Sequence, residues 1–389
     1  MLKRHLAGRF VPLPRILSIE VTSRCNLRCV MCPKTAGFVN TAPDRVISPE
    51  VVERLEPILG AVDGADLSGL WGEAFLFPDL YLDILARLKR RYIGVHTVSN
   101  GTLITDAVAE RLVALKLDRL EISIDAARPE TYRRVRRGGE LAQVLEGVRA
   151  VVRHRERSGR RLPALKLLFL GMTDTIAEFP EFVRLARSLG VGTVVLQAMG
   201  EYEAVKGKSV AAGAHRALGR RMLEAARLEA RRLGVAIELF PPDQFSAEAP
   251  AGASAGEAER RLLRECVFPW DRAVIATTGE VFPCCSCPVP FGDLTRQPFE
   301  EIWRGDAYRA LRRALLEGDL PAMCRSCTGQ AWTRRRRGDL LKTALRLERG
   351  RLRQRLRRSP ALRRIREALR PRHARPTAAG SGASPLASP

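Results

Sequence analysis

Between residues 13 and 240, short apolar runs alternate with amphipathic stretches of helical period. The runs at 16–21, 64–68, 93–98, 119–124, 164–170 and 193–197 are rich in Val, Ile or Leu. Strands buried on both faces have this composition. The stretches at 49–59, 80–91, 106–115, 141–157 and 179–189 carry the helical pattern between them. Ser48 followed by Pro49 reads as an N-cap with proline at the first helical position. Six strand–helix repeats predict an α/β fold with a parallel sheet and helices outside, curved into a partial (β/α)6 TIM-like barrel. In such folds chemistry sits on the loops beyond the C-terminal ends of the strands.

A further helix over 215–233 and a short strand over 235–239 follow. Residues 248–259 are a low-complexity run of small residues and glutamates, which reads as a linker. Residues 273–282 alternate as a β-hairpin, with Thr278-Gly279-Glu280 as its turn. The chain therefore divides into a lead (1–13), a core (14–240), a flexible linker (241–261), a small cysteine-rich unit (262–333), a basic helical tail (334–370) and a disordered tail (371–389).

Composition narrows the class. No run of about 18 apolar residues occurs among the 389, so no transmembrane helix is expected. The first residues lack the apolar stretch of a secretory signal. Nine cysteines then fit a reducing compartment and metal ligation better than disulfides. A cytoplasmic location is expected. The net charge of +23 is concentrated: residues 334–375 hold eighteen Lys or Arg against Asp339, Glu348 and Glu367. Leu341, Leu345, Leu352 and Leu356 share one helical face there, and Leu362, Ile365 and Leu369 another. Such a tail suits anionic lipid at the inner membrane surface, RNA, an acidic partner, or nothing beyond solvent. Its lack of aromatics weakens single-strand binding.

Cys25, Cys29 and Cys32 form a C-x3-C-x2-C loop directly after the first strand. Three thiolates so spaced can hold three irons of a [4Fe–4S] cube, and they leave the fourth iron open. A structural zinc site needs four ligands in paired knuckles, and the ferredoxin run ends with a fourth cysteine. Neither pattern is present. In the second cysteine set, the hairpin brings Cys266 and Cys284 together and Cys324-Arg325-Ser326-Cys327 is a C-x2-C knuckle. Together these four make a closed thiolate site, which zinc could also occupy.

The first loop resembles the signature of the radical S-adenosylmethionine (AdoMet) superfamily, C-x3-C-x-φ-C, with Met31 at φ. Leu70-Trp71-Gly72-Glu73-Ala74 is similar to that family's Gly-Gly-Glu-Pro motif, which binds the AdoMet amino group; Trp71 and Ala74 depart from it. Ser99-Asn100-Gly101 and Ser123-Ile124-Asp125 match positions that line the AdoMet ribose and methionine. Arg136 or Arg137 stands where relatives often place an arginine for the AdoMet carboxylate. Each match alone has a plain structural reading: Asn-Gly is a common turn and Ser-x-Asp a common cap. The resemblance covers about residues 14–200. It implies reductive cleavage of AdoMet to a 5′-deoxyadenosyl radical, hydrogen abstraction from a substrate, and a reductant such as flavodoxin or ferredoxin.

The second set resembles the auxiliary-cluster extension of these enzymes, called SPASM or, when shortened, twitch. Gly279-x4-Cys284, Phe291-Gly292-Asp293-Leu294, Ile302-Trp303 and Tyr308-x2-Leu311-Arg312 carry the likeness. No cysteine follows Cys327, so the resemblance implies one auxiliary [4Fe–4S] cluster on Cys266, Cys284, Cys324 and Cys327. That layout looks like the aminocyclitol dehydrogenase of butirosin biosynthesis. Cys285 occupies the position of a catalytic aspartate in sulfatase-maturing relatives. It is either a buried inert thiol or a hydrogen donor to a substrate radical; Cys287 could replace Cys284 as a ligand. The expected substrate is a small polyol, aminocyclitol or sugar, oxidised or epimerised. The alternatives are a ribosomally made peptide and, in another class, a non-catalytic Fe–S or zinc protein that binds nucleic acid.

Overall fold

The computed structural model describes residues 11–37, 44–68, 71–200, 205–211, 213–240, 244–245, 266–317, 319 and 321–325. Its strands are β1 (Ile16–Ile19), β2 (Gly64–Asp66), β3 (Gly94–Ser99), β4 (Arg119–Ser123), β5 (Ala164–Gly171), β6 (Thr193–Ala198), β7 (Ala236–Phe240), β8 (Arg272–Ile275), β9 (Glu280–Phe282) and β10 (Gly292–Asp293). They form one sheet in the order β10-β9-β8-β1-β2-β3-β4-β5-β6-β7. Strands β8 and β1 through β7 run parallel, while β9 and β10 turn back antiparallel. All six barrel strands are where the hydrophobic pattern puts them, within two residues at either end.

The helices are α1 (Pro49–Glu53), α2 (Pro78–Arg90), α3 (Asp106–Ala114), α4 (Pro129–Val135), α5 (Leu141–Arg157), α6 (Phe179–Ser188), α7 (Arg216–Leu233), α8 (Phe268–Asp271), α9 (Phe299–Arg304), α10 (Asp306–Glu317) and α11 (Ala322–Arg325). Ser48 caps α1 as expected, accepting from the Val51 N–H at 3.3 Å. The helix expected over 49–59 stops at Glu53. A tighter turn, Glu56–Ala61, replaces its second half around Pro57, which has no N–H to donate. Helix α4 is an addition the apolar period did not announce.

The two faces of the sheet differ. Leu120, Ile122, Leu167 and Phe169 are fully buried, and Phe169 packs edge-on against Phe182 of α6 at 5.0 Å. Their alternate neighbours face away from the helices and are largely polar: Ser18, Glu20, Asp66, Ser68, His96, Glu121, Ser123, Lys166 and Gln197.

The hairpin expected over 273–282 is β8–β9, with Val274 opposite Phe282. Strand β8 also joins the edge of β1 in parallel, Ile16 opposite Arg272 and Ile19 opposite Ile275. One sheet thus runs through both halves of the chain. Beneath the hairpin, the fully buried Arg312 lies over the rings of Trp303 and Tyr308, at 4.5 and 4.9 Å. It donates to the carbonyls of Pro269 and Trp303. Trp303 in turn donates to the Pro12 carbonyl at 2.7 Å. Cys327, Leu70, the basic tail and, apart from Gln244 and Phe245, the linker lie outside the described residues.

Candidate active site

The site is assembled at the C-terminal ends of β1 to β4. Beyond β1 the chain leaves the sheet at Thr22 and enters the cysteine loop. Ser23 and Thr22 anchor its start on the Arg45 carbonyl, and Lys34 returns to the Ser23 carbonyl and the Asp44 carboxylate. The end of helix α4 and the turn after it brace the middle: Val30 donates to the Val135 carbonyl at 3.0 Å and Arg28 to the Arg137 carbonyl at 2.8 Å. These bonds fix the backbone that carries Cys25, Cys29 and Cys32.

Gly72 explains itself sterically. A Cβ there would lie 2.0 Å from the Thr22 carbonyl oxygen and 2.6 Å from that of Arg24. The loop after β2 therefore lies directly on the backbone of the cysteine loop, and the Glu73 N–H donates to the Arg24 carbonyl at 2.7 Å. The Glu73 side chain is 3% exposed. One carboxylate oxygen accepts from Ser99 Oγ at 2.8 Å and the Phe75 N–H; the other accepts from the Asn100 N–H at 2.7 Å. Burial pushes this carboxyl up, against the pull of those donors and of Arg136. Asn100 in turn bonds Asn26 of the cysteine loop at 2.9 Å and approaches Cys25 Sγ at 4.0 Å.

Asp125 follows β4 in a left-handed conformation (φ 64°) and is 1% exposed. It accepts two guanidinium N–H bonds from Arg136, and its second oxygen accepts from the Leu170 N–H at 2.8 Å. Burial opposes the Arg136 charge, but Asp125 outweighs it and holds the guanidinium above its ordinary value. Arg136 Nη1 also points at Cys29 Sγ, 3.9 Å away. Of the two arginines the sequence offered, Arg136 is the one in the site. Ser123 lies on the inner face one turn of the pleat below Asp125. Met31 packs with Val135, Met172, Met199 and Val205 in an apolar cluster separate from the main core, beside the loop.

The donor set fits an iron–sulfur cluster. Three soft thiols lie on one braced loop; N–H groups of Leu27 and Asn100 approach the Cys25 sulfur and Arg136 approaches that of Cys29, as suits thiolate sulfur. Among the described residues no group of three or more His, Cys, Asp or Glu side chains is gathered closely enough to hold a metal ion. In the second unit, Cys285, Cys287 and Cys266 all lie near enough to Cys284 to push its thiol up, after burial, and half-buried Cys266 and Cys324 each pack against the core. Three of the four expected ligands are thus described. Cys287 is buried, donates to the Val289 carbonyl at 3.2 Å and lies against Met323. Cys285 is half-buried beside Cys284.

Sequence reasoning did not single out Glu20. It is 4% exposed and sits on the inner face at the end of β1. Its visible signal was an acid closing an otherwise apolar strand.

Residues 19–195 match the Radical SAM superfamily and residues 266–328 match the iron–sulfur cluster-binding domain SPASM. The chain thus carries a radical SAM domain followed by a SPASM-type domain. AdoMet, its [4Fe–4S] cluster and auxiliary iron–sulfur come with those domains. A GTP 3′,8-cyclase of Limosilactobacillus fermentum is 34% identical over 151 residues, which are 37% of this chain and 44% of that one. The chain spans about half the length of such cyclases. An AdoMet-dependent heme synthase of Methanosarcina barkeri is 26% identical over 329 residues, 77% of this chain and 85% of its own. Streptococcus suis SuiB bound to S-adenosylmethionine shares the fold, with TM-score 0.58 at 14% identity over 82% of this chain and 72% of SuiB. Among the described residues, no helix is long and apolar enough to cross a membrane.

Proposed function

We propose that this chain is a radical AdoMet enzyme that oxidises or epimerises a small polyol, aminocyclitol or sugar. The polar inner face of the sheet carries the reading on substrate. His96 Nε2 stands 3.4 Å from Glu121, Arg119 stands 3.3 Å from the same carboxylate, and Lys166 bonds Glu238 at 2.6 Å. With Ser18, Asp66, Ser68, Ser123 and Gln197, this surface offers donors and acceptors for hydroxyls and amines rather than an apolar slot.

The residues take these roles. Cys25, Cys29 and Cys32 hold the first cluster. Glu73 would take the AdoMet amino group and Arg136 its carboxylate; Ser99 and Asn100 hold Glu73, Asp125 holds Arg136, and Ser123 would line the AdoMet ribose or methionine. Met31 and its neighbours give the cofactor an apolar wall. When bound and reduced, this pair supplies a 5′-deoxyadenosyl radical that takes a hydrogen atom from substrate. Cys266, Cys284, Cys324 and Cys327 hold one auxiliary [4Fe–4S] cluster, the acceptor for the second electron in an oxidation. In an epimerisation Cys285 gives the hydrogen atom of its S–H to the substrate radical, and the thiyl left behind takes one electron, ultimately from the reductant, and one proton. Flavodoxin or ferredoxin is the reductant.

A second reading is the modification of a tetrapyrrole, supported by the likeness to a heme synthase along 85% of that protein. Anaerobic reconstitution followed by an assay for 5′-deoxyadenosine separates the readings. The proposal expects about eight irons, four to each cluster, and turnover on a polyol or aminocyclitol panel. Turnover on porphyrin precursors or on a peptide alone would replace the substrate class. Bound zinc without AdoMet cleavage would end the enzymatic reading and leave a binding protein.

A further inference from the structure

Glu20 occupies the seam between the AdoMet loops and the auxiliary hairpin. Its side chain is buried on the inner face, one residue past β1 and five before Cys25. One carboxylate oxygen accepts the Trp71 N–H at 3.3 Å; the other accepts the Thr277 N–H at 3.5 Å. Trp71 immediately precedes Gly72-Glu73. Thr277 begins the turn between β8 and β9. The Glu20 N–H itself donates to the Ile275 carbonyl at 2.9 Å, extending the β1–β8 pairing to this residue.

We propose that Glu20 is a positioning residue that holds the AdoMet-binding loop after β2 and the auxiliary hairpin turn in one register. The inference rests on the reading of Gly72-Glu73 as part of an AdoMet site. Gly72 is pressed on the Thr22 and Arg24 carbonyls with no room for a methyl group, so Glu73 reaches Ser99 and Asn100 only if the loop enters at one height. The bond to the Trp71 amide sets that height. A buried carboxylate with two amide donors is satisfied in this geometry alone, because each oxygen has its own partner on a different loop. Burial pushes the Glu20 carboxyl up, while the two amides and Lys34 pull it back toward the charged form. Loss of either amide would therefore leave a buried acceptor short of a donor.

Glu20→Gln tests this with little change of shape. The amide side chain can satisfy one N–H and sets its own NH2 against the other. On the reconstituted full chain, the dissociation constant for AdoMet by equilibrium dialysis is expected to rise about tenfold. Backbone amide exchange is expected to quicken in the peptides containing Trp71 and Thr277, and not in those from β4 to β6. Glu20→Asp, which keeps the charge and loses reach, is expected to recover AdoMet affinity in part. An AdoMet affinity within twofold of the unaltered chain, with unchanged exchange, would overturn the proposal while leaving the enzymatic reading intact. So would Glu20→Gln protein that loses both clusters and exchanges faster everywhere, since that is a general structural role. Failure of the unaltered chain to bind AdoMet would remove both.

Discussion

Asp125 and Arg136 are held by each other more than by the fold around them. Asp125 adopts a left-handed backbone that a non-glycine residue rarely takes, and its carboxylate accepts from Arg136 and from Leu170. Replacing Asp125 by Asn leaves a guanidinium buried beside Cys29 without its counter-charge. The expected cost is about 3 kcal/mol or more in chemical denaturation. Arg136→Lys is not a conservative change here, because an ammonium cannot make the forked contact. A milder case lies on the inner face. Burial pushes the Glu121 carboxyl up, but His96, Arg119 and Lys166 outweigh it and hold it below the ordinary value. A depressed carboxyl adds stability above its unfolded pKa of about 4.3 and loses it as pH falls through the lower folded value. Glu121→Gln is therefore expected to lower stability at neutral pH by about 1 kcal/mol. It should also flatten the acid limb of a denaturation series below about pH 4.3.

The elements that sequence reveals are those whose signal is local. Cys25, Cys29 and Cys32 lie within eight residues of one another, and the strand before them is an apolar run, so both loop and placement are legible. The β8–β9 hairpin is legible for the same reason: two alternating segments and a turn at Gly279, whose φ of 91° suits glycine. The pairing of β8 with β1 is not, because partners some 256 residues apart leave no mark on either segment. Helix α4 is short, and it matters through backbone carbonyls, which no side-chain pattern announces. The selection of Arg136 over Arg137 depends on which one faces Asp125, a fact of the turn after α4. Packing of the second unit was equally hidden. Arg312 is buried without a carboxylate partner among the described residues. It is held by two carbonyls and two rings, and burial lowers it to about 9. Arg312→Met keeps the length and loses both hydrogen bonds. It is expected to cost about 3 kcal/mol, read as earlier unfolding of residues 266–317 in hydrogen exchange, with β4 to β6 unaffected.

At the scale of the molecule, the parallel pairing of β1 with β8 decides where the two proposed cluster sites lie. Both strands run toward the same end of the sheet. The cysteine loop continues past the end of β1, whereas Cys266 precedes the start of β8 and Cys284 follows the return strand β9. The sites therefore sit at opposite ends of the strand pair, separated by about five residues of extended chain, or roughly 16 Å along the strands. Ligands at one end do not share backbone with ligands at the other, so each cluster should assemble alone. Replacing Cys266 and Cys284 together by Ala is expected to leave about four irons per chain and to preserve AdoMet cleavage by a chemical reductant. Replacing Cys25, Cys29 and Cys32 by Ala should leave the auxiliary cluster's electron paramagnetic resonance signal and abolish cleavage. The arrangement also makes the hairpin the physical link between the ends, because its turn reaches Glu20 while its base carries the auxiliary thiols. Loss of the auxiliary cluster should then loosen the turn as well as the base. Amide exchange at Thr277 in the Cys266/Cys284 double variant reads this directly. Quickened exchange there, with AdoMet cleavage intact, is the expected result; exchange unchanged at Thr277 would show that the β1 pairing alone holds the turn.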